Sequence, residues 1–348
     1  MKINERELLA WRMRGLHLYE RAPSSNVVSD LIGLQAQFAN NAKMALRIRA
    51  SDFDPARWSD GLVKIWSFRH TLHDVPIDEV GLHLSARGRM ESWDNRWGID
   101  AKRASNHAAR LMVMLGEGVD TRAALKARFC RAGITKDELS RIFHGWGGLF
   151  YEMNQRGMIA YHPDTEKRFV PLERVEWIDT QPALALMTHR YFKAYGPATL
   201  KDLMIFTGFR AGDIRQVLAS DPPPLKEVKF KNQTLYYLGD PPDDLNLPAC
   251  RFLTGFDAMI MGYADRSFII DPDDKKHIVT LSGIVFPTVL IGGKIRARWK
   301  LTGDELTITA FRPLSKTQMR AVETAARAAF YLRRADAKKL TIVFEVGA

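Results

Sequence analysis

Gly196-Pro197-Ala198-Thr199-Leu200-Lys201-Asp202-Leu203-Met204-Ile205-Phe206-Thr207-Gly208-Phe209-Arg210-Ala211-Gly212 is the stretch whose reading decides the fold. Gly196-Pro197 must end the helix that the apolar spacing predicts over 183–194, because proline cannot donate to a continuing helix. Thr199 then has the chemistry of an N-cap for a helix over 200–206. Thr207 to Gly212 reads as a tight turn, and Asp213 to Ala219 as the next helix. Two strands follow, Leu225–Phe230 and Thr234–Leu238, joined through Lys231-Asn232-Gln233. Helix, glycine turn, helix and strand pair predict a winged helix-turn-helix, a common reader of DNA.

The same order recurs towards the N-terminus. Thr121 to Ala132 predicts a helix, and Thr135 with Glu138 predicts a capping box opening another. Trp146 to Arg156 predicts a third, and Met158–Tyr161 with Arg168–Leu172 predicts a hairpin. Further back, helices are expected over 5–18, over 27 to about 35, and from Asp54-Pro55 through Leu62, with Ala45-Leu46-Arg47-Ile48-Arg49 as a short extended run. The β-rich segment Ile65 to Pro76 would complete a first unit. After a linker rich in Pro and Asp (240–250), strands are expected at 277–280, 284–291, 294–301 and 305–311. A helix over 315–334 and a strand over 340–345 close the chain. The expected class is α+β, with three tandem winged-helix modules (1–110, 111–180, 181–240) and a β-rich C-terminal part (241–348).

The 348 residues, 46% hydrophobic and 26% charged, suit a globular protein with a full core. No run approaches the roughly 18 apolar residues of a membrane span, and the charged N-terminus has no signal core. Cys130 and Cys250 have no partner spacing, so neither a disulfide framework nor a zinc site is expected, and a reducing cytoplasm is the default. The net charge of +11 favours a polyanionic partner, nucleic acid before membrane surface, over plain solubility charge.

Catalytic signatures are sparse. His70 and His73 are three apart in a β-like segment with no third ligand, so no metal is expected, and a hydrogen-bonding or site-lining role suits one of them. There is no phosphate-cradling glycine loop, dinucleotide fingerprint or nucleophile elbow, and no cofactor is expected. Trp93-Asp94-Asn95-Arg96-Trp97 pairs aromatics with a cation, as a base-stacking patch or a packed cluster would. One polar feature stands out at Gly33-Leu34-Gln35-Ala36-Gln37, where two amides lie two apart among apolar neighbours. Glutamine donates and accepts without titrating. By itself the pair reads as two amides at a helix end, either surface filler or a polar site.

Several stretches, in order, resemble the AlkZ/YcaQ superfamily of bacterial winged-helix DNA glycosylases. They are Gly33–Gln37; Arg69-His70-Thr71-Leu72-His73-Asp74-Val75-Pro76; Gly196–Leu203 with Thr207-Gly208-Phe209; Phe256-Asp257 with Ala264-Asp265-Arg266; and Pro287–Lys294 with Trp299. The resemblance implies a C-shaped body of three winged-helix units and a β-rich part around duplex DNA. It also implies removal of alkylated purines, N7-alkylguanine above all, with interstrand crosslinks unhooked by some members. It assigns the catalytic pair to Gln35 and Gln37, as in the AlkZ-type branch; the YcaQ-type branch has Asp at the second position. This chain departs from the family at Arg69-His70-Thr71, where many relatives read Arg-Gly-Thr.

Candidate DNA contacts are Arg69, His73, Arg210, Lys229, Lys231, Lys275, Lys276 and Arg298. The expected partner is duplex DNA carrying alkylated purines, without a membrane, bound by a monomer. The competing reading is a non-catalytic winged-helix DNA-binding regulator.

Overall fold

The computed structural model describes residues 1–164, 167–220, 224–330 and 340–347. The chain divides into two compact units: Met1–Gln35, Asn40–Trp58 and Thr188–Ala348 form the first, and Ala36–Ala39 with Ser59–Met187 the second. Among the described residues no helix is long and apolar enough to cross a membrane.

The first unit opens with strand β1 (Lys2–Ile3), helices α1 (Glu5–Gly15) and α2 (Ser24–Asp30), strand β2 (Leu34–Gln35) and helix α3 (Ala39–Arg49). Asn4 starts α1 with a full capping box: it accepts from Arg6 N and Glu7 N, while Glu7 accepts from Asn4 N. Two sequence expectations fail here. Ala45–Arg49 is not extended but is the last turn of α3, and the segment from Asp54 to Leu62 forms turns, not a helix. The alternation of Ala45 to Arg49 misled because Arg49, polar by type, is fully buried.

The second unit contains β3 (Leu62–Trp66), β4 (Leu72–Pro76), α4 (Val80–Ser85), α5 (Ala101–Gly116), α6 (Arg122–Arg131), α7 (Lys136–Ile142), α8 (Leu149–Gln155), β5 (Ile159–Tyr161) and β6 (Phe169–Pro171). Its antiparallel sheet runs β4-β3-β5-β6, with Lys64 opposite Asp74 on one side and Tyr161 on the other. One core collects Leu111, Leu125, Phe129, Ile142, Phe150 and Phe169; Val63, Ile65, Val75 and Leu84 fill another. Thr121 and Thr135 cap α6 and α7 as expected. At Thr135 only half of the predicted box forms, because Glu138 turns to His107 at 2.7 Å and Arg103 at 2.8 Å.

Helix α9 (Thr180–Ala194) returns the chain to the first unit, followed by α10 (Leu200–Thr207), α11 (Ala211–Ser220) and the hairpin β7 (Lys226–Phe230) and β8 (Gln233–Tyr237). Three helices and a hairpin is the order read from the sequence. Thr199 is the N-cap as expected, Asp202 completes a capping box with it, and Gly208 ends α10 in a left-handed conformation that favours glycine. Strand β1 adds to β7 in parallel, and Ile3, Leu8, Trp11, Val228 and Tyr237 pack together.

The C-terminal part has β9 (Cys250–Leu253), α12 (Ala258–Met261), α13 (Lys275–Ile278), β10 (Thr288–Ile291), β11 (Lys294–Thr302), β12 (Glu305–Ala310), α14 (Lys316–Phe330) and β13 (Thr341–Val346). The sheet order is β13-β12-β11-β10-β9. The strand expected at 277–280 is absent, because α13 occupies that position; residues 331–334 of the expected last helix lie outside the described residues. The chain is thus an α+β protein.

Candidate active site

Helix α2 ends at Asp30, earlier than the sequence suggested. Ile32 and Gly33 then take positive φ of 57° and 84°, and Gly33 N bonds back to Val28 O at 2.9 Å. This reversal sends the chain out extended through Leu34 and Gln35, ahead of a bend at Gln37. Leu34 and Ala36 are buried, Gln35 is half-buried and Gln37 is exposed. Such alternation is the period of an extended segment, and it turns both amides away from the side taken by Leu34 and Ala36. In the second unit, Ala36 N donates to Leu72 O of β4 at 2.8 Å, which fixes the backbone beside Gln37.

Gln37 lines a cavity of about 360 Å³ in that unit. Its walls include Trp66 at the end of β3, Tyr161 at the end of β5, and the cations Lys64, Arg122 and Lys167. The one carboxylate on the wall among the described residues, Asp164, is paired with Arg168. The cavity is therefore net positive and partly aromatic, which suits an anionic backbone with a base attached.

Behind the wall, Lys64 Nζ donates to Pro163 O at 3.0 Å and lies 3.9 Å from Asp74. Asp74 is fully buried, and burial pushes its carboxyl up to about 8 against the pull of Lys64. Arg122 Nη2 donates to Phe143 O at 2.5 Å and His144 O at 3.0 Å, anchoring the loop before α8. That loop continues through Gly145 and Gly147, both on the cavity wall. No sequence signal marked Lys64 or Arg122, and Asp74 stood only inside a stretch of the family resemblance, because strand pairing sets Lys64 between Asp74 and the distant Tyr161.

His70 takes a left-handed φ of 55°, a conformation in which histidine is among the tolerated side chains. It spans Tyr151 Oη at 2.9 Å and Arg87 Nη2 at 2.8 Å through Nδ1. Burial and the neighbouring Arg87 and Arg96 lower its pKa, so the neutral ring accepts from Arg87. Both histidines are hydrogen-bonded, His70 to side chains and His73 through Nδ1 to Thr71 O at 3.1 Å.

The proposed DNA contacts sort unevenly. His73 is corrected: it is 2% exposed, its ring meets Phe68 at 5.8 Å, and burial drives its pKa well down, so it is a neutral core residue with no surface for a phosphate. Arg69 is half-buried. Arg210, Lys229, Lys231, Lys275 and Lys276 are exposed. Lys229 is held by Thr234 and Lys231 lies 3.5 Å from Glu5. Arg298 stacks over Phe286 at 4.9 Å and, with Lys43 and Lys300, lines a second cavity of about 580 Å³ in the first unit. Trp93 lies under the Arg156 guanidinium at 4.6 Å and against the core, and Trp97 meets His144 at 4.9 Å, so the aromatic segment is a packed cluster.

A family model for AlkZ-like DNA glycosylases matches residues 28–330. The chain belongs to that family. It is 25% identical over 354 residues to an interstrand DNA cross-link repair glycosylase of Streptomyces sahachiroi, covering 94% of this chain and 95% of the relative. The solved structure of Streptomyces sahachiroi DNA glycosylase AlkZ shares its fold, with a TM-score of 0.79 over the whole of both chains at 23% identity. Glycosylase chemistry on DNA is accordingly the activity class of this AlkZ-like chain.

Proposed function

We propose that this AlkZ-like chain hydrolyses the N-glycosidic bond of N7-alkylated purines in duplex DNA, with Gln35 and Gln37 placing the attacking water. Glycoside cleavage proceeds through an oxocarbenium-like sugar. An N7-alkylated purine already carries positive charge and leaves neutral, so protonation of the leaving base is unnecessary. What the reaction requires is a water held in line and a polar setting for the sugar cation, tasks an uncharged amide oxygen can perform.

The observation that carries this reading is Gln37, exposed in the bend between β2 and α3 at the wall of a basic, aromatic cavity whose Asp164 is already paired. Cations there suit the strand's phosphates, and the faces of Trp66 and Tyr161 suit a cationic purine. The nine exposed or half-buried residues among the expected glutamines and DNA contacts, Gln35 and Arg69 included, fit a monofunctional hydrolase that binds along the duplex.

The Streptomyces relative's name records interstrand cross-link repair. We extend that activity to this chain. A crosslinked base resists extrusion, so a wedge must open the groove instead. The turn Thr280-Leu281-Ser282-Gly283-Ile284 is closed by Thr280 N to Ile284 O at 2.9 Å and carries the fully exposed Leu281 at its tip. It is the hairpin best suited to that task.

The test is release of 7-methylguanine from a methylated duplex by the purified chain. Release well above spontaneous loss is expected, and Gln35→Ala with Gln37→Ala should abolish it while duplex binding persists. Release that survives the double substitution removes the glutamines from the mechanism.

A further inference from the structure

Trp146 is 75% exposed, and the residues on both sides of it, Gly145 and Gly147, form part of the wall of the Gln37 cavity. Single exposed apolar residues are ordinary. Tryptophan is a costly one to expose, since its large ring normally buries about 150–250 Å². Here the surrounding backbone is built to hold the indole out.

The backbone on both sides of Trp146 is pinned at Phe143, His144, Gly147 and Gly148. Arg122 holds the carbonyls of Phe143 and His144. The His144 ring meets Trp97, and its Nδ1 accepts from Trp146 N at 3.2 Å. Gly147 N donates to His144 O at 3.0 Å. Gly147 has φ 118°, and a Cβ there would stand 2.7 Å from Tyr151 Cβ. Gly148 has φ 59°, and a Cβ there would stand 2.4 Å from Ile142 O. Both positions demand glycine, and both press the loop onto Tyr151 and the end of α7. The loop thus has a fixed backbone and one large aromatic side chain directed into solvent at the edge of a basic cavity.

We infer that Trp146 stacks on a nucleobase of the bound strand at the mouth of this cavity and holds that strand in place for the glutamines. The inference rests on the glycosylase reading above. Stacking needs only a π-face, so this contact tolerates any base and positions the strand without choosing the lesion. A pre-ordered loop makes the contact without first losing conformational freedom.

Trp146→Ala and Trp146→Phe in the full chain test it, with single-turnover release of 7-methylguanine from a methylated duplex. Base stacking is worth about 1–3 kcal/mol per base, or roughly 5- to 150-fold in affinity. Trp146→Ala should raise the half-saturating enzyme concentration within that range and change the maximal rate far less. Trp146→Phe should recover most of the loss, which a merely structural role for the loop would not produce. Unchanged half-saturation in Trp146→Ala, or a Phe variant no better than Ala, overturns the inference. A second readout is independent of catalysis. The fluorescence difference between the native chain and Trp146→Phe should be quenched by an unmodified oligonucleotide, and an unquenched difference overturns the inference. If the native chain binds and quenches but releases no base, the glycosylase mechanism falls while the stacking contact stands.

Discussion

Arg49 Nη2 donates to Asp257 Oδ1 at 2.7 Å, and neither side chain has any exposure to solvent. Arg49 ends α3, the helix that directly follows the glutamine motif, and Asp257 caps α12 by accepting from Met259 N at 2.9 Å. Asp257 also accepts from Thr254 N at 3.0 Å. Asp257, part of the family resemblance, is therefore a structural clamp on the helix that follows the motif. Asp202 has a similar task, since it caps α10 and accepts from Ala264 N at 2.8 Å.

Removing one partner of a buried pair leaves a charge stranded in the interior, at a cost of about 3–5 kcal/mol. Asp257→Ala should lose that much stability in urea unfolding. Arg49→Met combined with Asp257→Asn should lose less than Asp257→Ala alone, because the cap survives and no lone charge remains.

Asp74 sets a pH dependence of opposite sign to the usual carboxylate. Its ordinary pKa of 3.8 is raised to about 8 by burial, so the folded chain keeps a proton that the unfolded chain has released between those values. The stabilisation is complete below pH 4 and is lost as pH rises through 8. Asp74→Asn, which cannot ionise, should flatten thermal stability against pH and exceed the native chain above pH 8 by at least about 1 kcal/mol. A native chain whose stability is level from pH 6 to 9 would refute this.

Lys275 and Lys276, both among the DNA contacts expected from the sequence, are exposed on α13. Each phosphate contact releases counterions and contributes about −0.9 to the slope of log K against log salt. Replacing both by Ala should make the slope shallower by about 1.8 if both touch DNA. An unaltered slope places the duplex elsewhere.

Lys64 is the buried lysine of the Gln37 cavity, yet its ammonium is occupied by Pro163 O at 3.0 Å. A water-based mechanism forms no imine. Borohydride added during turnover should therefore trap no covalent protein–DNA adduct. An adduct that disappears in Lys64→Arg would assign a lyase step to this residue.

Local signals were legible where local chemistry decides. Thr121, Thr135 and Thr199 cap their helices because a threonine hydroxyl can satisfy a free N–H within three residues. The glutamine motif was visible too, as two amides in an apolar setting. What failed did so because distant partners overrule local pattern. Arg49 looked like the polar face of a strand, and Leu16 O with Asp257, 208 positions on, supplies the partners that let it be an interior helical residue. His73 looked like a basic surface group until Phe68 and the sheet covered it. The cavity around Gln37 draws on Lys64, Arg122 and Tyr161, which no window of sequence spans.

The first unit is assembled from three separate segments, and Ile3 is paired with Phe230 in its smallest sheet. Synthesis on the ribosome runs from one end only. The second unit has nearly all its residues once position 187 has emerged, but the first still awaits its largest piece. Gln35 belongs to the unit completed last. A nascent chain would carry the cavity beside Gln37 well before it carried a finished first unit around Gln35, so under the proposed mechanism base removal would wait for completion of the first unit.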